Sequence, residues 1–366
     1  MASPQVIGGA VAAAVIALIT FTAVPMFIIR EYFPYKLLKK QYLGKPTVNT
    51  KSYKGRTVLI TGANGAFGSR ASKLVAHRDV DTLVLVDVMD LTALKEDIES
   101  ELKKENKPLP KILLWQIDMM TFAGCQEVFR RAKTDLAKSA GLDHVLLTAG
   151  ILSFKRKESP EGWETTLQVN YFSTALVALL LLPLLKSSPG NPNPPVLTMV
   201  TSFGVYCSSF TYGVPKKGSY LKKMSNNKDG MEQGHQYGRS KALLLWFAKE
   251  LAERTKKAGL NVTINSADPG TAWTNLTGPN RSQLIPRLIT NYSARDPIYC
   301  ATALLNGVSA GPESHGKILH DFDMPEYPPF VLRKSGQVAQ QRIWDESREE
   351  FEAKVPEIQA VYKMLG

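Results

Sequence analysis

Cysteine is scarce in this chain, three residues in 366. Cys125, Cys207 and Cys300 show no metal-ligand spacing, and an odd number cannot all pair within one chain, so neither a cysteine-built metal site nor a disulfide framework is expected. Internal repeats and low-complexity tracts are also missing, which leaves an ordinary globular body whose 44% hydrophobic content suffices for a core. No basic segment precedes the first apolar run, which argues against a cleaved secretory signal. Nucleic-acid fold signatures are lacking too, so the net charge of +12 is not by itself a reason to expect DNA or RNA as a partner.

What the chain does have begins at its start. Residues 6–29 are an almost unbroken series of Ala, Val, Ile, Leu, Phe, Gly and Thr, long enough as a helix to cross a hydrocarbon layer of ~30 Å. Pro25 would kink that helix without excluding it. Arg30, Lys36, Lys39, Lys40, Lys45, Lys51, Lys54 and Arg56 follow, while residues 1–5 carry no basic side chain. The positive-inside rule then puts the rest of the chain in the cytosol, on a single-pass anchor expected in the endoplasmic reticulum, with the basic cluster drawn to anionic lipid. Four glycosylation triplets, at Asn261, Asn275, Asn280 and Asn291, point to the opposite side, but such triplets arise readily by chance. The expected organisation is an anchor over 1–30, a basic linker over 31–54, a catalytic domain over 55–335 and a helical segment over 336–366.

Strand-like runs at 57–60, 82–86, 112–117, 144–148, 196–201 and 261–266 alternate with helix-like stretches, and a short last strand falls at 317–319. That alternation predicts an α/β fold with a doubly wound parallel sheet. The apolar run 174–185, ended near Pro183, is too short to cross a membrane and reads as a buried helix. Thr57 to Ile60 leads into Thr61-Gly62-Ala63-Asn64-Gly65-Ala66-Phe67-Gly68, after which the apolar period becomes helical. Glycines at such a strand-to-helix turn let backbone N–H groups approach a pyrophosphate. Asp87 ends the second strand about 20 residues later, where an acid can bind ribose hydroxyls.

Tyr237-Gly238-Arg239-Ser240-Lys241 carries the chemistry. Residues four apart share a helix face, so the Lys241 ammonium is expected to stabilise the Tyr237 phenolate and lower its pKa. Two other Tyr-to-Lys pairs, Tyr32 with Lys36 and Tyr35 with Lys39, have no dinucleotide loop before them. Ser202 ends the fifth strand, where side chains face the ligand crevice. His235 is read as a rim residue.

These residues together resemble the short-chain dehydrogenase/reductase family over roughly residues 55–335. The resemblance implies a catalytic Ser202, Tyr237 and Lys241 with Asn170 as fourth polar member holding a relay water. It implies cofactor contacts from Gly62, Asn64, Gly65, Ala66, Phe67, Gly68, Asp87, Asp118, Ala149, Gly150, Tyr237, Lys241, Pro269, Gly270, Ala272 and Thr274, and it implies no metal. Ala66 stands where compact members have their middle glycine, and Leu147-Thr148-Ala149-Gly150 replaces the usual Asn-Asn-Ala-Gly. With no Arg or Lys directly after Asp87, NAD(H) is favoured, with NADP(H) as the second option. The insertion 203–236 and the loop 273–293 are expected to wall a bulky apolar substrate, as in membrane-anchored retinoid and steroid members.

The function expected is therefore interconversion of a secondary alcohol and a ketone on a lipophilic molecule such as a steroid, retinoid, terpenoid or polyketide. The competing readings are an epimerase or dehydratase of the same family, and a non-catalytic, membrane-tethered dinucleotide-binding scaffold. The expected partners are the small-molecule substrate and membrane lipid, without nucleic acid, with a homodimer as a further option.

Overall fold

The computed structural model describes residues 46–48, 50–139, 141–153, 155–208, 212–226, 230–270, 272, 295–321 and 323–366, with the backbone alone at 207 and 230–234. The expected anchor, Thr274 and the loop 273–293 lie outside the described residues. Seven strands, β1 (Thr57–Thr61), β2 (Thr82–Asp87), β3 (Lys111–Gln116), β4 (His144–Leu147), β5 (Val196–Val200), β6 (Thr263–Ala267) and β7 (Ile318–Leu319), form one sheet. All pairings are parallel, in the order β3-β2-β1-β4-β5-β6-β7. The winding reverses between β1 and β4, and a crevice opens there at the strands' carboxyl ends.

β1, β5 and β6 are buried at every position, as their apolar and β-branched composition requires of a parallel sheet covered on both faces. Alternate residues divide between two cores. Val58 and Ile60 face helices α1 (Gly68–Ala76), α2 (Thr92–Lys104) and α8 (Pro297–Val308). Leu59, Val145 and Leu197 face α3 (Phe122–Asp135), α4 (Thr165–Leu184), α7 (Gly230–Lys257), α10 (Lys334–Lys354) and α11 (Ile358–Leu365). Among the described residues α4 has the length and apolarity of a membrane span, but 89% of it is buried inside the protein, so it is a core helix as expected.

At the sheet's opposite end, Asp143 is fully buried and accepts hydrogen bonds from Thr57 N (3.0 Å), Ser188 N (2.7 Å) and Ser188 Oγ (2.6 Å), tying the starts of β1 and β4 to the turn before β5. Within the expected linker, Tyr53 is buried and its hydroxyl lies 2.8 Å from Ser309 Oγ, so this part of it packs on the folded body. The C-terminal segment packs on the folded body. Trp344 stacks on Phe247 of α7 at 5.5 Å, and Ile343, Phe351 and Tyr362 are buried.

The insertion departs from expectation more sharply. Between α5 (Gly204–Cys207) and α7 lies α6 (Tyr220–Ser225). Tyr212, Tyr220 and Met224 do not wall a substrate site: they are buried in the core, where Tyr212 packs on Trp246 and on Phe330 of α9 (Pro329–Leu332). Burying these rings against the protein's own aromatics removes the same apolar area from water that a ligand would. Phe210 lies outside the described residues.

Candidate active site

The turn after β1 is held by its own backbone. Gly62 has φ +65°, a conformation that costs a side-chain-bearing residue steric strain, and a Cβ there would come within 2.8 Å of the Ala149 backbone. A Cβ on Gly68 would run into the Gly62 carbonyl, so both glycines are needed for α1 to start this close to β4. Gly65 N donates to Gly62 O at 3.0 Å. Asp87 is locked onto this turn: Oδ2 accepts from Asn64 N at 2.9 Å and Oδ1 from Met89 N at 3.0 Å.

A cavity of about 350 Å³ opens beside the turn. It gathers Gly62, Asn64, Gly65, Asp87, Asp118, Ala149 and Gly150 from the expected set, whereas Ala66, Phe67 and Gly68 do not line it. Its wall also includes Val88, Met89, Ile117, Met119, Met120 and Thr148, which the sequence reading missed. Their signal was positional, since each lies in the short stretch after a strand's carboxyl end. Asp118 uses Oδ1 to accept from Met120 N at 2.8 Å and so shapes the cavity rim. The cradle fits a dinucleotide: the backbone of a glycine turn borders the cavity, and the Asp87 carboxylate stands against that turn.

Ser202, Tyr237 and Lys241 meet where β5 ends and α7 passes. The Ser202 hydroxyl lies close enough to the Tyr237 phenol to pull its pKa down. Ser202 Oγ also accepts from Gly204 N at 3.1 Å, and a Cβ on Gly204 would lie 3.2 Å from the Tyr237 ring, so this glycine lets the two segments touch. The lysine effect expected from spacing alone is not what the geometry delivers. Lys241 Nζ donates to Val200 O at 2.8 Å and sits 6.0 Å from the Tyr237 ring centre. Burial pushes the Tyr237 phenol up to about 12, only partly opposed by the Ser202 hydroxyl. Burial likewise pushes the Lys241 ammonium down to about 8, against the pull of the Asp268 carboxylate.

Asn170 is fully buried in a π-helical stretch, Gln168–Ser173, within α4. Such stretches often occur at functional sites because they turn side chains out of helical register. Its Oδ1 accepts from Ile151 N at 2.7 Å and its Nδ2 donates to Ile151 O at 2.9 Å and to Ser240 Oγ at 3.0 Å. These bonds tie Asn170 to the segment after Gly150 and to Ser240 on α7. Across the crevice, Pro269 and Gly270 follow β6. Gly270 has φ +78° and donates its N–H to Asp268 Oδ1 at 2.9 Å, while Ala272 bridges to Arg295. The buried Asp268, 3.5 Å from His320 Nδ1, was absent from the sequence reading, having no motif to mark it. His235 Nδ1 lies 3.4 Å from Ser208 Oγ. Among the described residues no cluster of His, Cys, Asp and Glu could hold a metal ion.

Residues 56–192 match the family model described as short chain dehydrogenase. The chain is 30% identical over 331 residues to the short chain dehydrogenase/reductase mfmJ of Annulohypoxylon moriforme, covering 88% of this chain and 92% of that one. It is equally 30% identical over 355 residues to the short chain dehydrogenase resG of Aspergillus sclerotiorum, covering 91% and 94%. Among solved structures, an uncharacterized protein from Mycobacterium paratuberculosis superposes with a TM-score of 0.57 at 19% identity, covering 82% of this chain and 95% of that one. A short chain dehydrogenase from Burkholderia cenocepacia in complex with NADP superposes at 0.50 and 17% identity, covering 74% and 97%.

Proposed function

The chain belongs to the short-chain dehydrogenase/reductase family and is an oxidoreductase, and from that premise we propose that it interconverts a secondary alcohol and a ketone on a lipophilic substrate. The observation that carries this reading is the convergence of Ser202, Tyr237 and Lys241 beside a glycine-lined dinucleotide cradle. A bound nicotinamide dinucleotide supplies or accepts the hydride. Gly62 and Gly65 would hold its pyrophosphate, and Asp87 its ribose hydroxyls.

In the reductive direction the Ser202 hydroxyl donates to the carbonyl oxygen and holds it against Tyr237. Tyr237, kept protonated by burial, then has a proton to deliver to the oxygen as it becomes an alkoxide. Lys241, held by Val200 O on the same side of the site, would serve the cofactor ribose. Asn170 keeps the Gly150–Ile151 backbone, and with it one wall of the pocket, in position.

Asp87 favours NAD(H), since a 2′-phosphate would bring like charge against a carboxylate already bound to the glycine turn. A membrane-anchored, retinoid- or steroid-type member is supported by the apolar run 6–29 and its basic flank, which would hold the domain on the cytosolic face of the endoplasmic reticulum. The insertion adds less support, because Tyr212, Tyr220 and Met224 serve the core.

The test is turnover by the purified full chain of decalone, a 3-ketosteroid, β-ionone and a long-chain 2-ketone with each cofactor. Reduction of at least one ketone that Tyr237→Phe abolishes, with cofactor affinity kept, is expected. Retention of more than a few per cent of activity by the phenylalanine variant rejects Tyr237 as the proton donor.

A further inference from the structure

Through Tyr212 the insertion reaches the catalytic site. Tyr212 Oη donates to Val205 O at 2.7 Å and to Gly238 O at 3.0 Å. Val205 lies three residues after Ser202, and Gly238 directly follows Tyr237, so one buried hydroxyl spans the two segments that carry the paired hydroxyls. The junction is a backbone contact at the same place, since a Cβ on Gly238 would strike the Gly204 carbonyl. Backbone contact alone leaves the segments able to slide along one another. A donor shared between a carbonyl of each gives them a common anchor.

Tyr212 is itself held from behind. Tyr220 Oη donates to Tyr212 O at 2.7 Å. The start of α6, in turn, is gripped by Glu346 of α10, which accepts from Ser219 Oγ at 2.6 Å, Tyr220 N at 2.8 Å and Leu221 N at 2.8 Å. Arg342, one turn away on α10, donates to Pro215 O at 2.8 Å. Gln236 Nε2, next to Tyr237, donates to Met224 O at 3.0 Å, closing the bracket on the α7 side.

We propose that Tyr212 is a positioning residue for the reaction: its hydroxyl, set in place by Tyr220 and the Glu346 clamp, fixes Ser202 relative to Tyr237. The inference rests on the catalytic reading of Ser202 and Tyr237. It gives the insertion and the C-terminal helix a shared task, aligning proton donor and oxygen-binding hydroxyl from outside the site.

The test compares the full chain with its Tyr212→Phe variant, which keeps the ring in its aromatic nest and removes only the hydroxyl. Amide exchange followed by mass spectrometry needs no substrate. Exchange should accelerate about tenfold or more in peptides covering 202–208 and 235–240 together, and stay unchanged across β1 and α1. With whichever of the probe ketones the wild type reduces, kcat should fall about tenfold while KM and the Kd for NADH stay within about twofold, the split expected of misalignment. Tyr53→Phe removes another buried tyrosine hydroxyl, at the far end of the sheet, and should leave kcat unchanged. Unchanged exchange in either segment, acceleration spread over the whole chain, or a wild-type kcat would each overturn the proposal. An active Tyr237→Phe would instead remove the catalytic reading, while the exchange result still judges the bracket.

Discussion

Tyr237 and Lys241 are two ionisable groups that burial pushes toward their neutral forms, one up to about 12 and the other down to about 8. For Lys241 the consequence for stability has a definite sign. Between about pH 8 and its ordinary value of 10.5 the unfolded chain binds the proton and the folded chain does not, so stability rises with pH across that window. Below it, the buried ammonium costs its full desolvation. Lys241→Met should therefore raise the urea midpoint at pH 7, and its advantage over wild type should shrink as pH climbs to 10.5. An advantage that stays constant across that range would show that the ammonium is not strained by burial. Asp87 poses the matching question for the cofactor. Like-charge repulsion on the order of 1–3 kcal/mol predicts a roughly tenfold or greater preference for NAD(H), measurable as two dissociation constants. Asp87→Ser with Val88→Arg should reverse the order. Val88 is 52% exposed at the cavity rim, so an arginine there can reach a phosphate without displacing core.

Single side chains decide how elements join. Asp143 gathers donors from β1 and from the turn at Ser188 in a site without water-exposed surface, and Arg56 Nη1 lies 3.8 Å away. Asp143→Ala strands two buried N–H groups, each worth about 1–3 kcal/mol of desolvation, so a loss of roughly 2–6 kcal/mol is expected in chemical denaturation. A loss below about 1 kcal/mol would mean that these donors find other partners. The π-helical stretch at Gln168–Ser173 illustrates the same point within one element. Its apolar pattern announces a buried helix, but nothing in the pattern announces the wider turn that aims Asn170 at Ile151. That geometry comes from bonds made across the fold.

At the scale of the whole molecule, the proposed anchor and the catalytic body make separable predictions. Removing residues 1–30 should give a more soluble chain with unchanged kcat, because Ser202, Tyr237 and Lys241 and the described cradle all lie within Lys45–Gly366, one compact unit. A truncated protein that folds but turns over more slowly would show that the leading segment does more than locate the enzyme. Protease added to sealed microsomes should digest the domain, and the four asparagine triplets should carry no sugar. A mobility shift on deglycosylation would put the domain in the lumen and overturn the charge argument.

The strand-to-turn-to-helix sequence at 57–68, the acid at Asp87 and the helical spacing of Tyr237 and Lys241 were legible because each is a local pattern imposed by short-range sterics and periodicity. The parallel order of the sheet followed from alternation of strands and helices. Long-range packing decided the rest. Tyr212 and Tyr220 carry no local mark separating a substrate wall from a core anchor, and only their contacts with Trp246, Phe330 and the α10 clamp settle it. Lys241 could not be assigned its electrostatics from spacing. Its partner, Val200 O, is 41 residues away in the chain, and its nearest carboxylate influence, Asp268, lies on another strand's end, brought close by the sheet. Desolvation is a property of everything packed around a group, which no local stretch of sequence contains.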